Sequence, residues 1–79
     1  MVGRHCESGD IVVRHAYLPS DLVSGDLLAV AATGAYCRSL ASNYNHVPRP
    51  AVVAVSRGHA PSVIVRRESL ADLFSLDVG

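Results

Sequence analysis

Cys6 and Glu7 are adjacent and open the segment Cys6-Glu7-Ser8-Gly9-Asp10. A thiol, with an ordinary pKa of about 8.5, is a proton donor that its surroundings can tune to working pH. The carboxylate beside it is a natural counter-charge for an ammonium group on a substrate. Ser8 and Gly9 suit a loop better than the interior of an element. On residue type alone a plainer reading stands beside this one: a small half-buried cysteine next to a solvated acid. Tyr36, directly after Gly34-Ala35, is the next candidate. A phenol there can donate to a phosphate oxygen, and its small neighbours let a ligand approach the backbone. Equally, it can cap a core with its hydroxyl in water.

Other chemistries find less support. A zinc site could be drawn from His5, Cys6, Cys37 and His46, but they contain no Cys-x-x-Cys or His-x-x-x-His pair. His5 and Cys6, being adjacent, point apart in an extended segment. No metal site is therefore expected. A Cys/His nucleophile lacks any third group to orient it. Ser42-Asn43-Tyr44-Asn45 is polar and turn-competent, and such side chains commonly satisfy nearby backbone.

Composition narrows the partners. The chain has 79 residues, enough for one small domain, which buries about 60–65% of its unfolded surface. Hydrophobic residues make up 49% of it and mean hydropathy is +0.27. That is apolar for a free-standing small protein, as if some of these residues pack against further chain or another subunit. Seven acidic and seven basic residues cancel, and the arginines are scattered apart from Arg66-Arg67. Nucleic-acid binding has no electrostatic footprint here. The longest apolar run, Leu27 to Ala32, is far short of the roughly 20 residues that span a bilayer, so no membrane is expected. No secretory signal is visible and two cysteines make no disulfide framework, which points to the cytoplasm. There is no lysine at all.

The elements that must position these residues are mostly strands. Ile11-Val12-Val13 is a β-branched run between turn residues. Leu27 to Thr33 is continuously apolar and fits a strand covered on both faces, although a helical turn has the same pattern. Gly34 breaks it, and Ala35 to Asn45 is an irregular segment with room for one helical turn. Ala51 to Val55 and Ser62 to Val65 flank Arg57-Gly58 and read as a β-hairpin, with Pro61 at the start or edge of its second strand. Ser69 is a helix N-cap with Asp72 as its capping-box partner. Leu70, Leu73 and Phe74 share the face of a helix of about two turns, which must dock on the sheet. The predicted fold is mainly β, a partial β-sandwich or barrel-like sheet with a short carboxy-terminal helix, forming one incomplete domain over residues 1–79.

In order and spacing these motifs resemble the carboxy-terminal end of the diaminopimelate decarboxylase family, pyridoxal-phosphate enzymes related to the alanine racemases. The family pattern is Cys-Glu-Ser-x-Asp, an apolar strand, Gly-Ala-Tyr, then Ser-Asn-Tyr-Asn-x-x-Pro-Arg-Pro-Ala. Here it occupies residues 6–10, 27–33, 34–36 and 42–51. Arg66-Arg67-Glu68 before a short helix is similar to the family's last segment. Arg4, Cys37 and Val52 depart from its usual residues without touching these positions. Ornithine and arginine decarboxylases share the cysteine, a neighbouring acid and Gly-Ala-Tyr, and are less similar around Glu7-Ser8 and Asn43 to Pro50.

The resemblance implies a lyase that decarboxylates meso-diaminopimelate to L-lysine in lysine biosynthesis. It implies that Cys6 is the catalytic proton donor once carbon dioxide has left, and that Glu7 grips the substrate's distal amino group. Tyr36 would contact both cofactor phosphate and substrate. Cys6 and Glu7 would reach the other subunit's site in a homodimer. The lysine and glycines that bind pyridoxal phosphate would lie on an α/β barrel of roughly 250 residues that this chain lacks. Alone, the chain is expected to be inactive. Two alternatives remain: a non-catalytic interaction module derived from a decarboxylase, and a fragment of an ornithine or arginine decarboxylase relative.

Overall fold

A computed structural model describes all 79 residues. Its regular elements are helix α1 (Gly34–Leu40), strands β1 (Val52–Ala54) and β2 (Ser62–Val65), and helix α2 (Leu70–Leu73), with one 3-10 turn at Tyr44–His46. β1 and β2 form an antiparallel hairpin in which Val52 faces Val65, Val53 faces Val63 and Ala54 faces Ser62. The step from Val52 to Val53 spans two residues of β2, so Ile64 is the extra residue of a bulge. Gly58 carries φ +75° in the connection, a conformation glycine adopts without strain. Pro61 sits just before β2, where it removes no ladder donor. The hairpin expectation holds.

So does the capped end. The Ser69 hydroxyl accepts from the Asp72 N–H at 3.2 Å, and the Asp72 carboxylate accepts from the Ser69 N–H at 2.7 Å. Arg66 grips the same carboxylate through both guanidinium nitrogens, at 2.6 and 2.8 Å. Those bonds hold the Asp72 carboxyl far below the usual range, with Arg66 the largest cause. α2 is one turn rather than two. Its following residue, Phe74, tilts against the His46 ring, with centroids 5.8 Å apart.

Three other expectations are corrected. Ile11 forms a single bridge with Val2, and no strand extends over 11–13. Leu27 to Thr33 forms no strand either. A strand exists only where a second backbone pairs with it, and this run finds none within the chain. It closes in a turn at Ala32, which has φ 58°. Gly34 then begins a seven-residue helix instead of merely ending a strand. Good helix formers at Ala35, Arg38 and Leu40 outweigh the glycine, which sits at the first position where its entropic cost is least. The sheet-domain class holds in reduced form, as a two-stranded sheet with short helices.

No residue is buried. The accessible surface is 7148 Å², against about 4,600 Å² for a compact folded protein of 8.3 kDa. The radius of gyration is 15.4 Å, where a compact chain of this length has about 12 Å. The best-covered part is the seam where residues 41–52 meet residues 65–73.

Candidate functional site

The Cys6 loop is held from three sides. Asp10 accepts two bonds from His5, one from its backbone N–H and one from ring Nδ1, both at 3.0 Å. The backbone bond is the main reason the Asp10 carboxyl lies below its ordinary range. Gly3 passes so close to that carboxylate that a side chain there would overlap it. Within the loop, Asp10 N–H donates to the Glu7 carbonyl at 3.1 Å. Glu7 folds back on its own turn, one oxygen accepting from the Gly9 N–H at 2.6 Å and the other from the Ser8 hydroxyl at 3.3 Å. From a distance of 40 residues, the Asn45 amide donates to the His5 carbonyl at 2.6 Å.

Between these anchors Cys6 has φ 55°, the left-handed region in which a side chain crowds the following carbonyl. Its thiol is free and exposed. The loop therefore spends conformational energy to turn a thiol outward, with a carboxylate next to it. A carboxylate oxygen has lone pairs beyond the one each local donor uses, so Glu7 can still receive an ammonium.

Asn45 rests on a rigid base. Glu68 accepts from the Arg49 backbone N–H at 2.7 Å, the Asn43 amide at 2.6 Å and the Arg49 guanidinium at 3.0 Å. Arg49 also donates to the Ala41 carbonyl at 3.0 Å, and Asn43 to the Val47 carbonyl at 3.1 Å. Arg49 lies between Pro48 and Pro50, and Pro50 after it favours an extended backbone there. The structural duty anticipated for Ser42 to Asn45 is thus real, and its reach is longer than nearby backbone. Sequence reading missed Glu68 and Arg49 as partners. The signal was an arginine locked between prolines.

The Arg49 backbone N–H, followed by the Asn43 amide, holds the Glu68 carboxyl below its ordinary 4.5. A carboxyl whose pKa is lowered on folding stabilises the fold above its unfolded value and loses that contribution as pH falls through the folded one. In the full-length protein, the stability gap between wild type and Glu68→Gln should be open at neutrality and shrink well below pH 4.5. Thermal melts across that interval check it; a constant gap would disconnect Glu68 from the acid response.

Tyr36 lies inside α1, not at a strand end, and is 77% exposed. Its hydroxyl makes no hydrogen bond, and none joins it to Cys6 or Glu7. A cleft of about 230 Å³ beside the loop is lined by Arg4, His5, Asp10, Arg49 and Arg67, among others, but by none of the three predicted site residues. Cys6 and Glu7 share one loop, and Tyr36 sits on α1. No helix is long and apolar enough to cross a membrane.

Residues 1–34 match the family described as pyridoxal-dependent decarboxylase, C-terminal sheet domain. Over 78 residues, 99% of this chain, it is 63% identical to a diaminopimelate decarboxylase of Mycobacterium leprae and 62% identical to that of Mycobacterium tuberculosis. It is 49% identical to the Bacillus subtilis enzyme over the same share. These matches cover 16–17% of the relatives' own length, so the chain spans about a sixth of each.

Proposed function

The chain belongs with the pyridoxal-dependent decarboxylases, matching the carboxy-terminal segment of diaminopimelate decarboxylase, and on that premise we propose that it forms one side of a decarboxylase active site shared between two subunits. The complete enzyme removes carbon dioxide from meso-diaminopimelate to give L-lysine, in the cytoplasm, where Cys6 and Cys37 stay reduced. The Cys6 thiol delivers a proton to the carbon that lost the carboxylate. Glu7 pairs with the distal ammonium, and Tyr36 presents its hydroxyl to the cofactor phosphate and substrate. What carries this reading is the 62% identity over 78 residues, a span that takes in the Cys6-Glu7 loop.

Pyridoxal phosphate, when bound, supplies the electron sink that makes loss of carbon dioxide feasible. The residues here fit only an outlying contact with it. A lysine is needed to hold it covalently and the chain has none; the unpaired, exposed Tyr36 hydroxyl suits a phosphate oxygen. The main binding residues therefore belong to the barrel that the relatives' greater length has room for. The open surface supports two-sided assembly: the excess over a compact chain, about 2,500 Å² on this chain alone, exceeds the roughly 1,000 Å² or more that each partner gives to an obligate interface.

A full-length polypeptide carrying this segment, loaded with pyridoxal phosphate, should release carbon dioxide and lysine from meso-diaminopimelate. The isolated 79-residue chain should do neither and should keep no covalently bound cofactor after dialysis. Turnover of ornithine or arginine in place of diaminopimelate would reassign the substrate. Cofactor absorbance retained by the isolated chain would contradict the division of labour.

A further inference from the structure

We propose that Asn45 is a positioning residue that aims the Cys6 thiol by clamping the peptide bond between His5 and Cys6; this rests on the reading of Cys6 as proton donor. A left-handed backbone at a residue other than glycine persists only where its surroundings over-determine it. At Cys6 most of the restraints are local: His5 N–H to Asp10, Asp10 N–H to the Glu7 carbonyl, and Gly9 N–H to the Glu7 carboxylate. They shape the loop but do not fix it relative to the rest of the molecule.

Asn45 does. Its amide meets the His5 carbonyl at 2.6 Å, on the same peptide plane whose rotation defines φ of Cys6. The other contact, between His5 Nε2 and the Ser42 carbonyl, is long at 3.4 Å, and a neutral imidazole that donates from Nδ1 to Asp10 has no second proton to give it. Asn45 is itself left-handed, with φ 54° and ψ 31°, a conformation that asparagine tolerates better than most side chains. The flanking bonds of Asn43 and Arg49 to Glu68 keep its base from yielding. A thiol that must reach one carbon on one face of a planar system is sensitive to a shift of about 1 Å, which can cost about 100-fold.

The test uses the full-length enzyme. Asn45→Asp keeps shape and left-handed tolerance but turns an acceptor towards an acceptor. Asn45→Gly keeps the backbone and removes the donor. For both, kcat should fall about 10- to 100-fold, by more than KM rises. Turnover in deuterated water should also place deuterium on the product carbon with lost stereospecificity, which a purely structural asparagine would not affect. Unchanged kcat in both variants, with Cys6→Ala still crippled, overturns the clamp and leaves the donor assignment standing. A fall in stability with intact deuterium placement likewise overturns it. If Cys6→Ala itself turns over normally, the donor reading fails and the clamp with it.

Discussion

Cys6→Ala in the full-length enzyme should lower turnover by about 10²–10⁴, the usual worth of a positioned general acid. Cofactor loading should be normal, because no residue of this chain can hold the cofactor covalently. Stability should also be nearly unchanged. The thiol is exposed and pairs with nothing, and surface truncations of that kind shift stability by no more than about 0.5 kcal/mol. Alanine meets the same left-handed backbone at this position that cysteine does. A packing cysteine gives the opposite pattern, with lower stability and near-normal turnover. Melting temperature and kcat, measured side by side, separate the two.

Glu7→Gln should raise KM for meso-diaminopimelate by about 30-fold or more. Truncating one partner of a desolvated charge pair costs roughly 2–5 kcal/mol, and each 1.4 kcal/mol is tenfold. The substitution is clean because the glutamine oxygen can still accept from the Gly9 N–H, the shorter of the two bonds that fold Glu7 onto its turn. The loop therefore keeps its shape while losing its charge. Affinity for pyridoxal phosphate should move much less than KM. Unchanged substrate kinetics would remove Glu7 from the site.

What could be read in the sequence was local. The Ala51 to Val55 and Ser62 to Val65 runs announce a hairpin because β-branched residues flank a glycine turn, and Ser69 with Asp72 announces a cap because both partners lie within one turn. The apolar run at Leu27 resembles a strand because composition reports what a segment would bury, whereas strand formation depends on a partner. The α1 helix was obscured by the glycine at its start and the polar residues after it. At the site, Cys6 and Glu7 stand out by type alone. Asn45 does not, because its partner lies 40 residues away and only the fold pairs them. The Asn43, Arg49 and Glu68 knot was hidden for the same reason, with 19 and 25 residues separating Glu68 from its partners.

The openness of the chain has a physical consequence for its loops. With no buried residue, the polar bonds around Glu68 and Asp10 carry more of the local order than they would in a domain with a packed core. Hydrophobic burial acts mainly through the surfaces this chain presents outward, at Leu27, Leu28, Ile64 and Leu70.

Subunit mixing tests the shared site most directly. Full-length Cys6→Ala is combined with a full-length variant lacking the lysine that the proposed reading places outside this segment, each inactive alone, and the subunits are allowed to re-assort. In a twofold dimer with sites built from two chains, half the dimers are mixed and one of their two sites regains both groups, so activity should return to about one quarter of wild type. If Cys6 serves the barrel of its own subunit, every site lacks one group and no activity returns.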